Sequence, residues 1–400
     1  MEAAQKIIFS AMPALKQSER IPVASAIGRI SAVDVFSPVN VPPFRASAMD
    51  GYAYRHHEGG NVLTISAHSL AGHPSTNDAN PNECHRITTG ARVPDFADTV
   101  VQQENVEIEN SQLRVKQHPV SGFHVRVAGS DSQKDTLLMN KGQRLAAAQI
   151  ATLYSHGIVE IDVLRVVNVA VFSTGDELVE PGHELAEGHI FDANRALLSA
   201  LLNSPAVAVT DFGIVKDSVD ALHNIFEQCM DADLVLSSGG VSVGDADFVR
   251  PVLDQKGDLH VWKIAMKPGR PLTFGLLNKQ QPYFGLPGNP VSAAVTCMMF
   301  VIPALQTLLQ QPTAALPRID AKLGTDLKKL PGRVEYQRGV LTQDEMGEWT
   351  VSTTGLQDSH VVTSLHKANC FVELDFDSAG AKEGELVPVI PFEHFCQSIL

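Results

Sequence analysis

The chain has 400 residues, 44% hydrophobic and 19% charged, with a net charge of −14 and a pI near 5.5. That length accommodates about two to four domains, each with a core of its own. The acidity argues against partners such as nucleic acid or an anionic membrane, although a local basic pocket or a bound divalent cation still admits an anionic substrate.

Five widely spaced cysteines, Cys84, Cys229, Cys297, Cys370 and Cys396, include no C-x-x-C pair and predict a reduced, cytoplasmic protein. Met1–Leu15 lacks a signal-peptide pattern. Helical spacing runs over Glu2–Lys16, with Ile7, Ile8, Met12 and Leu15 near one face. Pro22–Val35 reads as a short strand and turn. Next comes PPFRASAMDGYA, Pro42 to Ala53, in which Asp50-Gly51 is a turn signal. On local grounds Asp50 is a turn carboxylate accepting nearby N–H groups. From Tyr52 to Gln117 the pattern is β-like, with Thr89 placed either as a plain strand end or with its hydroxyl toward a ligand. Ser75–Glu83 reads as an exposed polar loop.

Arg144–His156 predicts a helix stopped by Gly157. An alternation of strands and helices follows. Val166–Phe172 is a strand ending in Ser173-Thr174-Gly175-Asp176-Glu177, and Asp192 caps a helix through Leu202. Ala206–Val215 is a strand ending at Lys216-Asp217, and Val219–Met230 is a helix. Leu234–Leu236 is a buried strand leading into Ser237-Ser238-Gly239-Gly240 and then Asp245 and Asp247, with a helix expected at Pro251. Val261–Ala265, Leu272–Leu277 and Tyr283–Leu286 are strands, and Asn289-Pro290 opens an apolar helix. The longest apolar run, Val291–Leu305, is too short and too interrupted for a membrane span. This is the pattern of a doubly wound, mostly parallel sheet. From Ile319 onward, short strands and turns predict a terminal β-barrel or sandwich.

The chemistry gathers where the parallel strands end. Glu177, Asp217, Asp245 and Asp247 fall on one sheet edge, around a glycine loop that is neither a P-loop nor a dinucleotide fingerprint. Converging carboxylates suit Mg²⁺, which takes oxygen ligands and bridges to phosphates. Asp176 and Asp192 are the weaker candidates, the first because its side chain could point away, the second because capping accounts for it. Lys267 and Arg270, on the stiff loop MKPGRP, suit a tetrahedral oxyanion. GLPGNPVS, Gly285 to Ser292, brings helix-start N–H groups and the Ser292 hydroxyl to the same task.

These stretches, with RITTGARVP and SLHKAN, resemble the molybdopterin molybdenumtransferase family, MoeA in bacteria and the E domain of gephyrin in animals. The likeness runs nearly the full length in order. It implies four domains: a linking domain over 18–36 and 137–164, a β-rich domain over 37–136, a MogA-like α/β domain over 1–17 and 165–315, and a C-terminal β-barrel-like domain over 316–400. It further implies a homodimer with the site shared between subunits. The implied reaction takes adenylated molybdopterin and molybdate with Mg²⁺ and releases AMP. By motif, Asp50 and Thr89 would come from the facing subunit. Glu177, Asp217 and Asp247, with Asp245 beside them, would serve metal and phosphate, and Ser238, Gly239 and Gly240, the loop they surround, would bind substrate or its oxyanion. Lys267, Arg270 and Ser292 would hold the oxyanion or nucleotide phosphate, shaped by Pro287 and Pro290. Partners would include other molybdenum cofactor biosynthesis proteins and the enzymes that receive the cofactor.

One segment departs from the family. Where Arg-Arg-x-Gly-Glu-Asp is usual, this chain reads Val125-Arg126-Val127-Ala128-Gly129-Ser130-Asp131, and Asp135 stands at a usual glycine. Two rival functions are an adenylyltransferase using ATP on a pterin, marked by pyrophosphate release, and a scaffold with a vestigial site.

Overall fold

The computed structural model describes residues 1–240, 257–312 and 316–393. Asp245, Asp247, the expected helix at Pro251 and Cys396 lie outside them. The protein is multidomain, α/β plus β, and its described part is built on several separate cores.

The central sheet has the strand order Val207–Val215, Val167–Thr174, Leu234–Ser238, Gln281–Leu286, Pro271–Leu277, Gly257–Lys263. The first four strands are parallel, and the last two return antiparallel. The inner strands Val167–Thr174 and Leu234–Ser238 are buried on both faces and so read as apolar runs, broken by the exposed Asn168, whereas the edge strand Val207–Val215 is partly exposed. One face packs on Leu198, Leu202, Met299 and Phe300, the other on Leu222, Ile225, Phe226 and Cys229. From Val167–Thr174 the chain crosses first to one side and then to the other. The switch point therefore lies at the C-terminal edge between Val167–Thr174 and Leu234–Ser238, where such sheets bind ligands.

The N-terminal helix spans Glu2–Ala11, not the full run to Lys16. Pro13 forces Met12 into extended backbone, yet Met12 and Leu15 remain buried in the same core, so the hydrophobic spacing outlasts the helix. Its docking answers a backbone demand. Pro303 has no N–H to give to Met299, four residues earlier, and the Gln5 side chain donates to that carbonyl instead, at 3.0 Å. The helical stretch Pro290–Leu308 is long and apolar enough to cross a bilayer, but 83% of its apolar window is buried inside the protein.

Ser18–Pro22 pairs antiparallel with Glu160–Leu164 over a small core that includes Val23, Leu145, Leu153 and Val163. The helix between them, Ala147–Ser155, ends at Gly157 with φ 73°. Residues 46–126 form a β-rich body around a six-stranded sheet. There Tyr52 and Tyr54 face one core and Ala53 the other, as a period-two strand requires. Gly51 departs from its sequence reading. It opens the strand Gly51–Tyr54, and an added Cβ would meet the Val101 carbonyl oxygen at 1.8 Å, so close packing, not a turn, demands glycine. Asp135, expected at a glycine position, has left-handed backbone, with φ 67°. The Asp192 cap is also shifted. The helix starts at Asn194, and Asp192 reaches past Ala193 to accept the Asn194 N–H at 2.9 Å.

Five strands, Val334–Gln343, Trp349–Thr353, Ile319–Leu323, Leu386–Pro391 and Cys370–Leu374, close into a C-terminal barrel. The short strand Met266–Lys267 adds in parallel to Val334–Glu335, which ties the MKPGRP loop to the barrel.

Candidate active site

Thr174 and Val215 are register partners, as are Ser173 and Ser238. Glu177, Asp217 and Gly239 therefore leave the sheet from the same edge. After Ser238 the backbone turns through Gly239 and Gly240 at φ 90° and 68°. Gly239 is required twice over, since an added Cβ would also lie 2.4 Å from the Thr174 carbonyl oxygen. Its N–H donates to Leu286 O at 3.0 Å, joining the edge of the neighbouring strand.

Asp176 turns toward this edge, contrary to its sequence reading. Its Oδ1 accepts the Asp217 N–H at 3.4 Å. Burial, and then the charges of Asp176 and Glu177, push the Asp217 carboxyl above its ordinary range. Among the described residues no three His, Cys, Asp or Glu side chains are arranged to hold a metal as they lie. The donors present are all carboxylate oxygens that repel one another, which is the chemistry of a hard divalent cation.

On the basic side, Gly269 packs the MKPGRP loop against the helix Pro290–Thr296. A Cβ there would meet Thr296 Oγ1 at 2.5 Å and Ser292 O at 3.4 Å. The loop is thereby seated on the first turns of that helix, with Lys267 and Arg270 both exposed. Lys267 is already partnered, by Glu335 at 3.1 Å, and that carboxylate is 5% exposed. Pro287 and Ser292 are buried, and Pro290 is partly so. The helix start holds fewer free donors than its sequence suggests. Pro290 has none, the Val291 N–H goes to Ser359 O at 3.1 Å, and the Ala293 N–H goes to Asn289 O at 2.9 Å. The SLHKAN segment has a partner too: Ser364 Oγ accepts from the buried Arg338 at 3.0 Å.

Asp50 and Thr89 meet in the β-rich body, where Asp50 Oδ1 accepts the Thr89 N–H and hydroxyl. These bonds, the N–H first, hold the Asp50 carboxyl below its ordinary range. Among the described residues, no hydrogen bond or ion pair joins 37–136 to 165–312.

Two buried residues at the edge escape the sequence reading. Asn194 donates to Ser238 Oγ and to Gly288 O, both at 2.7 Å. Arg195 pairs with Asp192, Asp211 and Glu180 at 2.6, 2.6 and 2.7 Å. Burial opposes its charge, but the hydrogen bonds to Asp192, Glu180 and Asp211 outweigh that and hold it protonated. Glu180 follows Glu177, so Arg195 anchors the loop that carries the acidic pair. The polar pair at 194–195 after Asp192 was the available signal, but it looks like an ordinary helix start.

A switch-point site between carboxylates and a glycine turn, in an α/β domain joined to a β-barrel, defines the class. Residues 1–157 match the MoeA N-terminal region (domain I and II), residues 170–307 a probable molybdopterin binding domain, and residues 320–392 the MoeA C-terminal region (domain IV). The chain is 38% identical over 399 residues to a molybdopterin molybdenumtransferase of Haemophilus influenzae, covering 98% of each chain. It is 30% identical to molybdopterin molybdenumtransferase 2 of Mycobacterium tuberculosis, covering 96% of this chain and 97% of that one. The crystal structure of a molybdopterin biosynthesis MoeA protein from Pyrococcus horikosii matches with a TM-score of 0.82 at 32% identity, over 98% of both chains. The chain belongs to the molybdopterin molybdenumtransferase family, an enzyme family of molybdenum cofactor biosynthesis.

Proposed function

We propose that this protein inserts molybdenum from molybdate into adenylated molybdopterin and releases AMP. The observation that carries the reading is the acidic sheet edge, Asp176, Glu177 and Asp217, where each carboxylate raises the cost of ionising Asp217, beside the Ser238–Gly240 turn. Glu177 and Asp217 would hold Mg²⁺, with Asp245 and Asp247 added on their motif alone, and the ion would supply charge compensation at the adenylate phosphate.

The chain's own groups do the rest. Gly239 and Gly240 carry no side chain that would keep a phosphate away from the backbone. Arg270 offers paired N–H donors to a tetrahedral oxyanion, and Lys267, its charge shared with Glu335, acts as the weaker of the two. As a molybdate oxygen attacks the adenylate phosphorus, the bond from phosphorus to the pterin phosphate breaks. The Mo–O bond of that oxygen breaks, so the oxygen leaves with AMP, and the two dithiolene sulfurs bond to molybdenum as their protons leave with a further oxo group as water. Donors fixed before the reaction stabilise the charge that develops in that step.

Asp50 and Thr89 complete the site from the facing subunit of a homodimer. What supports this is their separation from the α/β part within one chain, where no bond joins the two regions among the described residues. Asp50, kept ionised by Thr89, then presents a fixed negative group on the far wall of the cleft. The four described cysteines are free and buried, in keeping with a cytoplasmic enzyme.

The test is a single turnover with adenylated molybdopterin, molybdate and Mg²⁺. One equivalent of AMP per cofactor formed, with no pyrophosphate, is the expected result. Pyrophosphate release from ATP and molybdopterin, without metal insertion, would instead make it an adenylyltransferase.

A further inference from the structure

Asn194 opens the helix Asn194–Leu202 and is 7% exposed. Its side-chain nitrogen has two hydrogens, and both are spent across long stretches of chain. One goes to Ser238 Oγ, 44 residues away, and the other to Gly288 O, 94 residues away, each at 2.7 Å. A backbone carbonyl can only accept, so the nitrogen, not the oxygen, must face Gly288. The Ser238 hydroxyl therefore accepts from Asn194; Ser238 is itself buried, at 2% exposed, and it is Gly239 and Gly240 beyond it that are half-exposed.

The cost of this arrangement is visible. Asn194 Oδ1 is buried and has no hydrogen-bond partner. An amide left half satisfied in such a place needs a reason, because an orphaned acceptor is unfavourable. The reason offered by the geometry is that two donors are needed at one point, where the glycine turn and the Gly285–Pro290 turn abut. A Cβ on Gly288 would lie 3.8 Å from Gly239 Cα.

We propose that Asn194 is a positioning residue: through the buried Ser238 hydroxyl and Gly288 O it pins the Ser238–Gly240 turn, so that the half-exposed Gly239 and Gly240 backbone is held in place for the substrate's anionic groups. The proposal rests on the functional reading above, which puts the Gly239–Gly240 backbone at the substrate's anionic groups. Asn194 itself touches no substrate and acts through Ser238.

The experiment is a double-mutant cycle in the full-length protein, using Asn194→Ala, Ser238→Ala and the double variant. It reads kcat and KM for adenylated molybdopterin at saturating molybdate and Mg²⁺, together with amide hydrogen exchange at Gly239. Each single change is expected to raise KM about tenfold, the worth of one hydrogen bond between the substrate's anion and a turn no longer held in place, with kcat altered far less. The double variant should be no worse than either single one, since both remove the same interaction. Gly239, whose N–H is bonded to Leu286 O, should exchange faster in Asn194→Ala. Additive KM effects, an unchanged Asn194→Ala enzyme, or a silent Ser238→Ala change would each overturn the proposal. Should wild-type protein release no AMP, the functional reading fails, and the exchange measurement still decides the pinning: unchanged Gly239 exchange rejects it. If Asn194→Ala does not fold, Asn194→Ser, which keeps one donor, takes its place in the cycle with the same outcomes.

Discussion

Asp50 Oδ1 accepts both the backbone N–H and the hydroxyl of Thr89, at 2.6 and 3.0 Å, across 39 residues of sequence. The pair fixes an exposed carboxylate in one direction and in its charged form. Thr89→Val removes the hydroxyl and leaves the N–H, which is the stronger of the two influences. A carbon-detected titration should find the Asp50 carboxyl raised but still below an ordinary aspartate. Because the pKa is depressed in the fold, any stability it contributes is present at neutral pH and fades as pH falls through the folded value. An unmoved titration would mean that the hydroxyl bond does not persist in solution.

Asp217 has the opposite sign. Its carboxyl is raised by burial and then by Asp176 and Glu177, so the fold favours the protonated form. Stability from this residue is full below its unfolded pKa and is lost as pH rises through the folded value. Without divalent cation at pH 7, Asp217→Asn should melt at the same temperature as wild type or higher, while turnover is abolished. Adding Mg²⁺ should raise the melting temperature of wild type only. A variant that melts lower than wild type in the absence of metal would remove the repulsion from the account.

Gly239→Ala combines a left-handed backbone with a Cβ placed 2.4 Å from Thr174 O. The strain alone costs about 1–3 kcal/mol. Chemical denaturation should register at least that loss, and turnover should fall with it because the turn and the edge of Val167–Thr174 separate. A stable, active alanine variant would mean that the turn relaxes without consequence.

Asp135 tests the departure from the family pattern. At φ 67° the aspartate occupies backbone that favours glycine. Asp135→Gly should stabilise the β-rich body by roughly 0.5–1 kcal/mol, the left-handed penalty less the entropy glycine loses on folding. Denaturation of the two proteins side by side measures it, and a destabilised glycine variant would show that the aspartate side chain carries a contact of greater worth.

The sheet was legible because its inner strands are buried on both faces. Val166–Phe172 and Leu234–Leu236 are apolar but for the exposed Asn168, and each strand is observed within a residue or two of its apolar run. The acidic edge followed, because parallel strands put Glu177 and Asp217 on one side without any knowledge of distance. Partnerships made across long separations were not legible. Lys267 looks like a free cation until Glu335, 68 residues on, is folded against it. Asn194 and Arg195 look like the start of a helix until Ser238, Gly288, Asp211 and Glu180 arrive. The first helix was overextended because Met12 and Leu15 keep the spacing of a buried face after Pro13 has ended the helical backbone.

The proposed function requires a site assembled from two chains, with the acidic edge on one and the Asp50–Thr89 pair on the other. Purified Asp50→Ala and Asp217→Ala proteins, each inactive, should be mixed in equal amounts and allowed to exchange subunits while AMP release is followed. Random pairing in a two-fold dimer leaves roughly a quarter of the sites with both walls intact, so about a quarter of wild-type activity should return. No recovery, with exchange demonstrated independently, would contradict the shared site and return both groups to a single chain.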